Sequence, residues 1–500
     1  MTLGERLSET AREHPRRVAL IYEGRRYAYR ELDALAEGLA AGLAGLGVSM
    51  GDRVALLLPN CPEFAVAYFG VVKAGATVVP LNIFLTAPEL SYIINDSGCG
   101  VIISGPEFAD RLGEVIKAAP GLKHVIVTGL PGPGQVAFES VIVKGGRGAG
   151  ETDEESPAAV LYTSGTTGHP KGAVLTHKNL LSNAASCAVM FRVTKRDRFL
   201  LFLPMFHAFS CLVCMILPLT VGASALILHS VKPFSKVIKA VVFGRATFFV
   251  AIPAVYNILS TKRFPKLLIK LLPLRLCVSG AAPLPGDTLA RFASNFPVPL
   301  LEGYGLTETS PVVSCNPIFG QRKEGSVGLP VPGVEVRVVD DEGRELPAGS
   351  VGELTVRGPN VMKGYLNNKQ ATREAIRDGW LYTGDMGKKD EEGYIFIVDR
   401  KKDLVLVHGM NVYPREVEEV LYQHPAIAEA AVVGTPDPHG GEALRAFISL
   451  KEGVSLTERE VKDYLKPRLA SYKLPRHVQF MSSLPVSRTG KVLKRELRNL

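Results

Sequence analysis

The sequence predicts an α/β protein with two parts: a large N-terminal domain of mixed parallel sheets sandwiched by helices and carrying a β region, then a small α+β C-terminal domain. Three observations predict it. Up to Ser279, strand-length apolar runs alternate with stretches of helical period. After Gly325 the texture changes to short strands separated by D-E-G and E-E-G turns. A charged run, Asp399-Arg-Lys-Lys-Asp403, then precedes about a hundred residues with strand and helix signals of their own. The expected boundaries are 1–400 for the large domain and 401–500 for the small one. A chain of 500 residues, 46% hydrophobic and 21% charged, is long enough for both and has the composition of a folded protein.

The elements follow in order. Arg30–Leu46 reads as a helix with Leu32, Leu35, Leu39 and Leu43 on one face, Arg53–Leu58 as a strand, and Glu63–Lys73 as a helix ending at Gly75. Thr77–Val79 and Gly100–Ser104 are strands flanking a helix that starts at Pro88-Glu89. Gly129–Ser156, rich in Gly, Pro and charge, reads as loops. Val160–Tyr162, Leu200–Leu203, Ala225–Leu228, Phe248–Ala251 and Leu276–Ser279 are buried strands, each followed by a helical stretch. Val334–Asp340, Gly352–Arg357 and Tyr394–Val398 form the antiparallel region. In the last unit Arg415–Tyr422 and Thr457–Leu465 are helices, and Ala428–Gly434 and Ala443–Leu450 are strands.

Charge and cysteine usage narrow the function classes. The net charge of +9 divides into +3 from Lys402 onward and +6 before it, so neither part is a polybasic arm and no nucleic-acid partner is expected. Seven cysteines without a repeated spacing exclude a disulfide framework; Cys211 and Cys214, with His207 one turn before, read as buried thiols in an apolar run. Met1–Pro15 has no apolar core for secretion, which predicts a reducing, cytoplasmic location. Phe199–Leu228 lacks any Asp, Glu, Lys or Arg, but Pro204, Pro218 and Gly222 interrupt it, so it reads as a buried layer of the core and not a membrane span.

The strongest chemical signal is Tyr162-Thr-Ser-Gly-Thr-Thr-Gly-His-Pro-Lys-Gly172. Gly165, Gly168 and Gly172 let the backbone close around a ligand. Thr163, Ser164, Thr166 and Thr167 supply hydroxyls and Lys171 a charge, which suits the outer phosphates of a nucleotide. The G-x-x-x-x-G-K-[ST] loop is absent. This run resembles the phosphate loop of the adenylate-forming enzymes, which include acyl- and aryl-CoA synthetases, peptide-synthetase adenylation domains and luciferase, and the resemblance continues along the whole chain. Tyr304-Gly-Leu-Thr-Glu-Thr309 resembles the next core motif; it implies Tyr304 against adenine, Gly303 and Gly305 at the nucleotide site, Thr307 on the α-phosphate and Glu308, with Thr166, on Mg2+. Ser279-Gly-Ala-Ala-Pro283 resembles the segment lining the adenine side (Ala281, Ala282) and the acyl side (Gly280) of the pocket. Tyr382-Thr-Gly-Asp385 resembles the ribose motif, with Asp385 as acceptor. Asp399–Asp403 resembles the interdomain hinge, with Arg400 on the ribose and Lys402 as pivot. Pro485-Val-Ser-Arg-Thr-Gly-Lys491 resembles the C-terminal motif whose lysine, here Lys491, bridges the attacking carboxylate and the α-phosphate.

The resemblance implies a ligase that uses ATP, Mg2+ and coenzyme A. Its acid is read from the pocket positions. Pro204–Phe209 lacks the Asp by which peptide-synthetase domains hold an amine, and the only Trp is Trp380, not a pocket-closing residue at Gly305. Phe206, Phe209, Ile252, Pro253, Val255 and Tyr256 offer apolar walls, and His207 stands where relatives have a gating His. These positions imply a medium- or long-chain fatty acid, with an aryl acid, or transfer to a carrier protein, as alternatives. Val407-His-Gly-Met-Asn-Val-Tyr-Pro414 resembles the loop past which pantetheine threads at Gly409, although fatty acyl-CoA synthetases usually carry Gly-Gly-Glu-Asn there. Lys473 and Arg476 are candidates for the CoA phosphates, or surface charges. The basic, Leu-rich stretch Lys262–Arg275 is a candidate for peripheral contact with an anionic membrane, or an ordinary amphipathic helix. A monomer or homodimer is expected.

Overall fold

The computed structural model describes residues 1–148, 152–163, 170–231, 233–262, 269, 272–407, 410–436, 442–486 and 492–500. Two large sheets face each other across a layer of helices. One sheet runs, edge to edge, Leu329–Pro330, Val312–Cys315, Leu300–Gly305, Leu276–Ser279, Phe248–Ala251, Arg198–Leu201, Ser224–Ile227, Val18–Tyr22 and Arg25–Ala28. Its strands are parallel from Leu300–Gly305 through Val18–Tyr22 and antiparallel at both ends. The other runs Gly364–Tyr365, Lys171–Thr176, Pro157–Thr163, Thr77–Pro80, Arg53–Leu57, Val101–Ser104, His124–Val127 and Val136–Ala137.

Strand periodicity explains the sandwich. Val54 and Leu56 face one core and Ala55 and Leu57 another; Phe199 and Leu201 face the first of these cores, Leu200 and Phe202 a third. Each sheet is therefore covered on both faces, which is why its strands are continuously apolar. The shared middle layer holds the helix Pro62–Lys73, buried throughout except at Glu63, and the charge-free segment, which forms a helical run from Ala208 to Thr220 with a π-type turn at Cys211–Ile216. Among the described residues no helix is long and apolar enough to cross a membrane. Lys73, at the end of its helix, is buried and pairs with Asp33 (2.9 Å) and Glu37 (2.5 Å), tying that helix to Tyr29–Gly45.

A five-stranded antiparallel sheet follows: Glu335–Val339, Gly352–Arg357, Trp380–Lys389 and Ile376–Arg377 in order, with Ile395–Arg400 on the other side of Trp380–Lys389. The sequence pattern misses Trp380–Lys389, the longest of these. It also misses the amphipathic N-terminal helix Leu3–Glu13, which a Thr2–Glu5 capping box opens. The C-terminal part has its own core (Val412, Val417, Leu421, Val432, Ile448, Val461) around the strands Ile427–Pro436, Glu442–Leu450 and His477–Phe480 and the helices Pro414–Tyr422 and Glu458–Leu465.

Candidate active site

Three parallel strands come into register at Ala251, Ser279 and Glu302. The first two leave the sheet there, at Ile252 and Gly280, while the third runs on through Gly303–Gly305, paired with Val312–Cys315. The carboxyl edge of a parallel sheet is where such folds bind ligands. Ala281, on the exit from the middle strand, has φ +68°, a left-handed conformation that costs a residue with a Cβ about 1 kcal/mol. Gly280 lies against the ring of Phe209: a Cβ there would come 2.9 Å from its Cζ. A Cβ on Gly305 would come 1.9 Å from the Pro311 carbonyl oxygen, so no side chain fits there without moving backbone.

Beside this edge the strands Pro157–Thr163 and Lys171–Thr176 pair antiparallel, Thr163 opposite Lys171. Ser164, Gly165, Thr166, Thr167 and Gly168 lie outside the described residues. Lys171 directs its Nζ over the ring of Tyr365, 5.2 Å from the centroid, and the Tyr365 hydroxyl donates to Glu308 Oε1 at 2.9 Å. Thr307 and Glu308 stand in a single helical turn, Thr307–Thr309, held where the Met362 N–H donates to the Glu308 carbonyl oxygen at 2.8 Å. Two motifs remote in sequence thus meet through Tyr365, which the sequence reading did not single out.

A second cluster joins three segments. The Tyr304 hydroxyl donates to Asp385 Oδ2 at 2.6 Å, and Arg400 Nε reaches Asp385 Oδ1 at 3.1 Å. Asp385 is only 5% exposed, and the strand pairing sets it opposite Arg400. Burial and the Asp385 charge keep the Tyr304 phenol protonated far above its ordinary range, and the same carboxylate raises Arg400. Burial, with repulsion from Arg400, lowers Lys402, which lies in the turn Lys401–Asp403.

The remaining positions are less closely joined. His207 caps the helical run from Ala208, its Nδ1 accepting from the Phe209 N–H at 3.3 Å. Tyr256 is fully buried; its hydroxyl donates to the carbonyl oxygens of Phe249 (2.7 Å) and Val278 (3.0 Å), and its ring packs edge-on against Phe249 and Phe292. Phe249 and Phe292 also line a wholly apolar cavity of about 40 Å³, with Val237, Val241, Cys277 and Phe296. Trp380 lies in the antiparallel sheet, with the guanidinium groups of Arg337 and Arg357 over its ring at 4.2 and 4.6 Å. Lys473 is paired with Glu416 at 2.6 Å. Gly409, Lys491 and most of 262–275 lie outside the described residues. Lys494, three positions after Lys491, is paired with Glu418 at 2.8 Å.

Glu302 was also missed. It is 7% exposed, accepts the Leu284 N–H at 2.8 Å, and is pushed by burial up to about 7 from its ordinary 4.5, although the Arg415 charge opposes the rise. No motif marks it; its burial becomes visible only when the strand is assembled. The chemistry of Glu308 fits a hard divalent cation. Oε1 is held by Tyr365, while Oε2 accepts no hydrogen bond among the described residues. The described residues contain no cluster of three His, Cys, Asp or Glu.

The model of AMP-binding enzymes matches residues 7–366, and that of their C-terminal domain matches 416–491. A long-chain-fatty-acid–CoA ligase of Bacillus subtilis is 36% identical, the alignment covering 99% of this chain and 94% of that protein. A feruloyl-CoA synthase of an Amycolatopsis species is 36% identical over 98% and 96% of the two chains. Among solved structures, ATP-bound MatB from Rhodopseudomonas palustris superposes with a TM-score of 0.93 at 34% identity, covering 100% of this chain and 99% of that one. Two matching domain models and relatives aligned over nearly their full length agree: the chain belongs to the AMP-binding enzymes, the adenylate-forming superfamily, as an AMP-forming acyl-CoA synthetase.

Proposed function

We propose that this chain is an ATP-dependent ligase joining medium- or long-chain fatty acids to coenzyme A. In the first step a carboxylate oxygen bonds to the α-phosphorus of ATP and the bond to the β-phosphate oxygen breaks, giving acyl-adenylate and pyrophosphate. In the second the CoA thiol, losing its proton, bonds to the acyl carbon and AMP leaves. Thr163, Ser164, Gly165, Thr166, Thr167, Gly168 and Lys171 would hold the β- and γ-phosphates, Tyr304 and Ala281–Ala282 the adenine, and Asp385 with Arg400 the ribose. Lys491 would lie between the two reacting anions, where a cation offsets their repulsion. A divalent cation on Glu308, when bound, would neutralise phosphate charge. Rotation about Lys402 would exchange Lys491 for the Gly409 loop between steps. Seven buried free thiols suit a reducing compartment, where ATP and CoA are found.

Apolar walls near the strand exits support an alkyl substrate: Phe209 lies against Gly280, Phe206 is buried, and a small apolar cavity lies beside Tyr256. Each methylene buried there contributes about 0.8 kcal/mol, whereas the hydroxyl of a ferulate would lack a partner, at about 1–3 kcal/mol. The test is pyrophosphate release with acids from acetate through palmitate, plus benzoate and ferulate, each with and without CoA. CoA-dependent turnover rising with chain length is expected. A maximum with ferulate or benzoate would move the chain to the aryl-CoA ligases, and turnover indifferent to CoA would indicate a carrier-protein acceptor.

A further inference from the structure

We infer that Tyr365 is a positioning residue that keeps Lys171 and Glu308 apart, so that one charge is free for phosphate and the other for a divalent cation. The inference rests on the reading of Glu308 as a cation ligand given above. Left to themselves, an ammonium and a carboxylate on adjacent loops would pair and cancel. Here they do not: the cation sits over the face of the Tyr365 ring, the carboxylate accepts from its edge hydroxyl, and no ion pair joins them.

The phenol is built to hold this place. Gly364–Tyr365 is a short strand stitched onto Lys171–Thr176, with Tyr365 opposite Ala173. The Tyr365 N–H donates to Thr372 Oγ1 at 2.8 Å, and the Leu366 N–H to the Gly172 carbonyl oxygen at 2.8 Å. The segment grips Glu308 twice, by the Met362 N–H on its backbone and by the phenol on its side chain. Fixing Oε1 turns Oε2 toward the ligand, as outer-shell donors do around metal-binding carboxylates.

The test is calorimetric titration of ATP at a series of Mg2+ concentrations and constant ionic strength, without an acid substrate, so that binding and not turnover is read. Tyr365→Phe is expected to raise the Mg2+ concentration for half-maximal enhancement of ATP binding by about 10- to 100-fold, while metal-free ATP binding changes less than threefold. Thr372→Val, which removes the acceptor behind Tyr365 but leaves the ring and hydroxyl, should shift it in the same direction by less. An unchanged Mg2+ requirement in Tyr365→Phe, or an equal loss of metal-free binding, overturns the inference. Glu308→Gln separates the two readings: if it shifts the requirement and Tyr365→Phe does not, only the role of Tyr365 fails. If Glu308→Gln leaves the requirement unchanged, the cation reading fails and takes the inference with it.

Discussion

Asp385 holds the most exacting position of any single residue in the site. Nearly sealed from water, it meets one phenol and one guanidinium, each on a different oxygen. Removing the phenol leaves an acceptor buried and unmatched, whereas Arg400 still balances the charge. Tyr304→Phe should therefore cost about 1–3 kcal/mol, read as a lowered urea midpoint at unchanged slope, without abolishing the fold. The variant keeps the ring but frees the carboxylate to turn, so the KM for ATP should rise more than kcat falls. Equal stability in both proteins would mean that water replaces the phenol.

Among the elements, the helix Pro414–Tyr422 shows how the antiparallel sheet and the C-terminal core are fastened. Its N-cap, Tyr413, has no side-chain cap; Asp399, on the strand Ile395–Arg400, supplies one, accepting the Arg415 N–H at 2.8 Å and the Arg400 N–H at 2.7 Å. Asp399→Ala should loosen this fastening by about 1 kcal/mol and open the basic run Arg400–Lys402 to trypsin about fivefold faster, with cleavage elsewhere unchanged. The same junction shows what the sequence makes legible. The charged run could be read as a hinge by position, and strands such as Gly352–Arg357 and Phe248–Ala251 were legible to the residue because their apolar pattern is local. Trp380–Lys389 was not, since Thr383, Gly384 and Lys388 break the apolar pattern and only pairing on both sides makes it a strand. Tyr365 escaped for a related reason. Its strand spans two residues and exists because Lys171–Thr176 offers an edge, and its partners are remote in the chain. The family resemblance pointed to Lys171, Tyr304, Glu308 and Asp385, whereas the groups that touch them were legible only in three dimensions.

At the scale of the molecule, two buried groups set opposing pH dependences of stability. His177, 1% exposed, accepts the Leu3 N–H through Nδ1 at 3.2 Å and so docks the N-terminal helix. Burial lowers it to about 4 from 6.5. The folded protein thus binds fewer protons there than the unfolded chain, and this contribution, full above pH 6.5, is lost as pH falls toward 4. Glu302 is raised by burial to about 7 from 4.5, so its stabilising contribution is full below pH 4.5 and lost as pH rises through 7. Each amounts to about 3 kcal/mol, and over pH 4.5–6.5 they nearly cancel. Replacing either group should expose the other. Glu302→Gln keeps an acceptor for Leu284 but cannot titrate, so its urea midpoint should fall on acidification from pH 6.5 to 4.5 by the equivalent of about 2–3 kcal/mol relative to the parent protein. His177→Gln, freed from the opposing dependence, should become more stable over the same interval. The opposite slopes matter more than the magnitudes, because a general change in net charge would tilt both variants the same way. Parallel curves for the two would show that neither buried group titrates as its surroundings require.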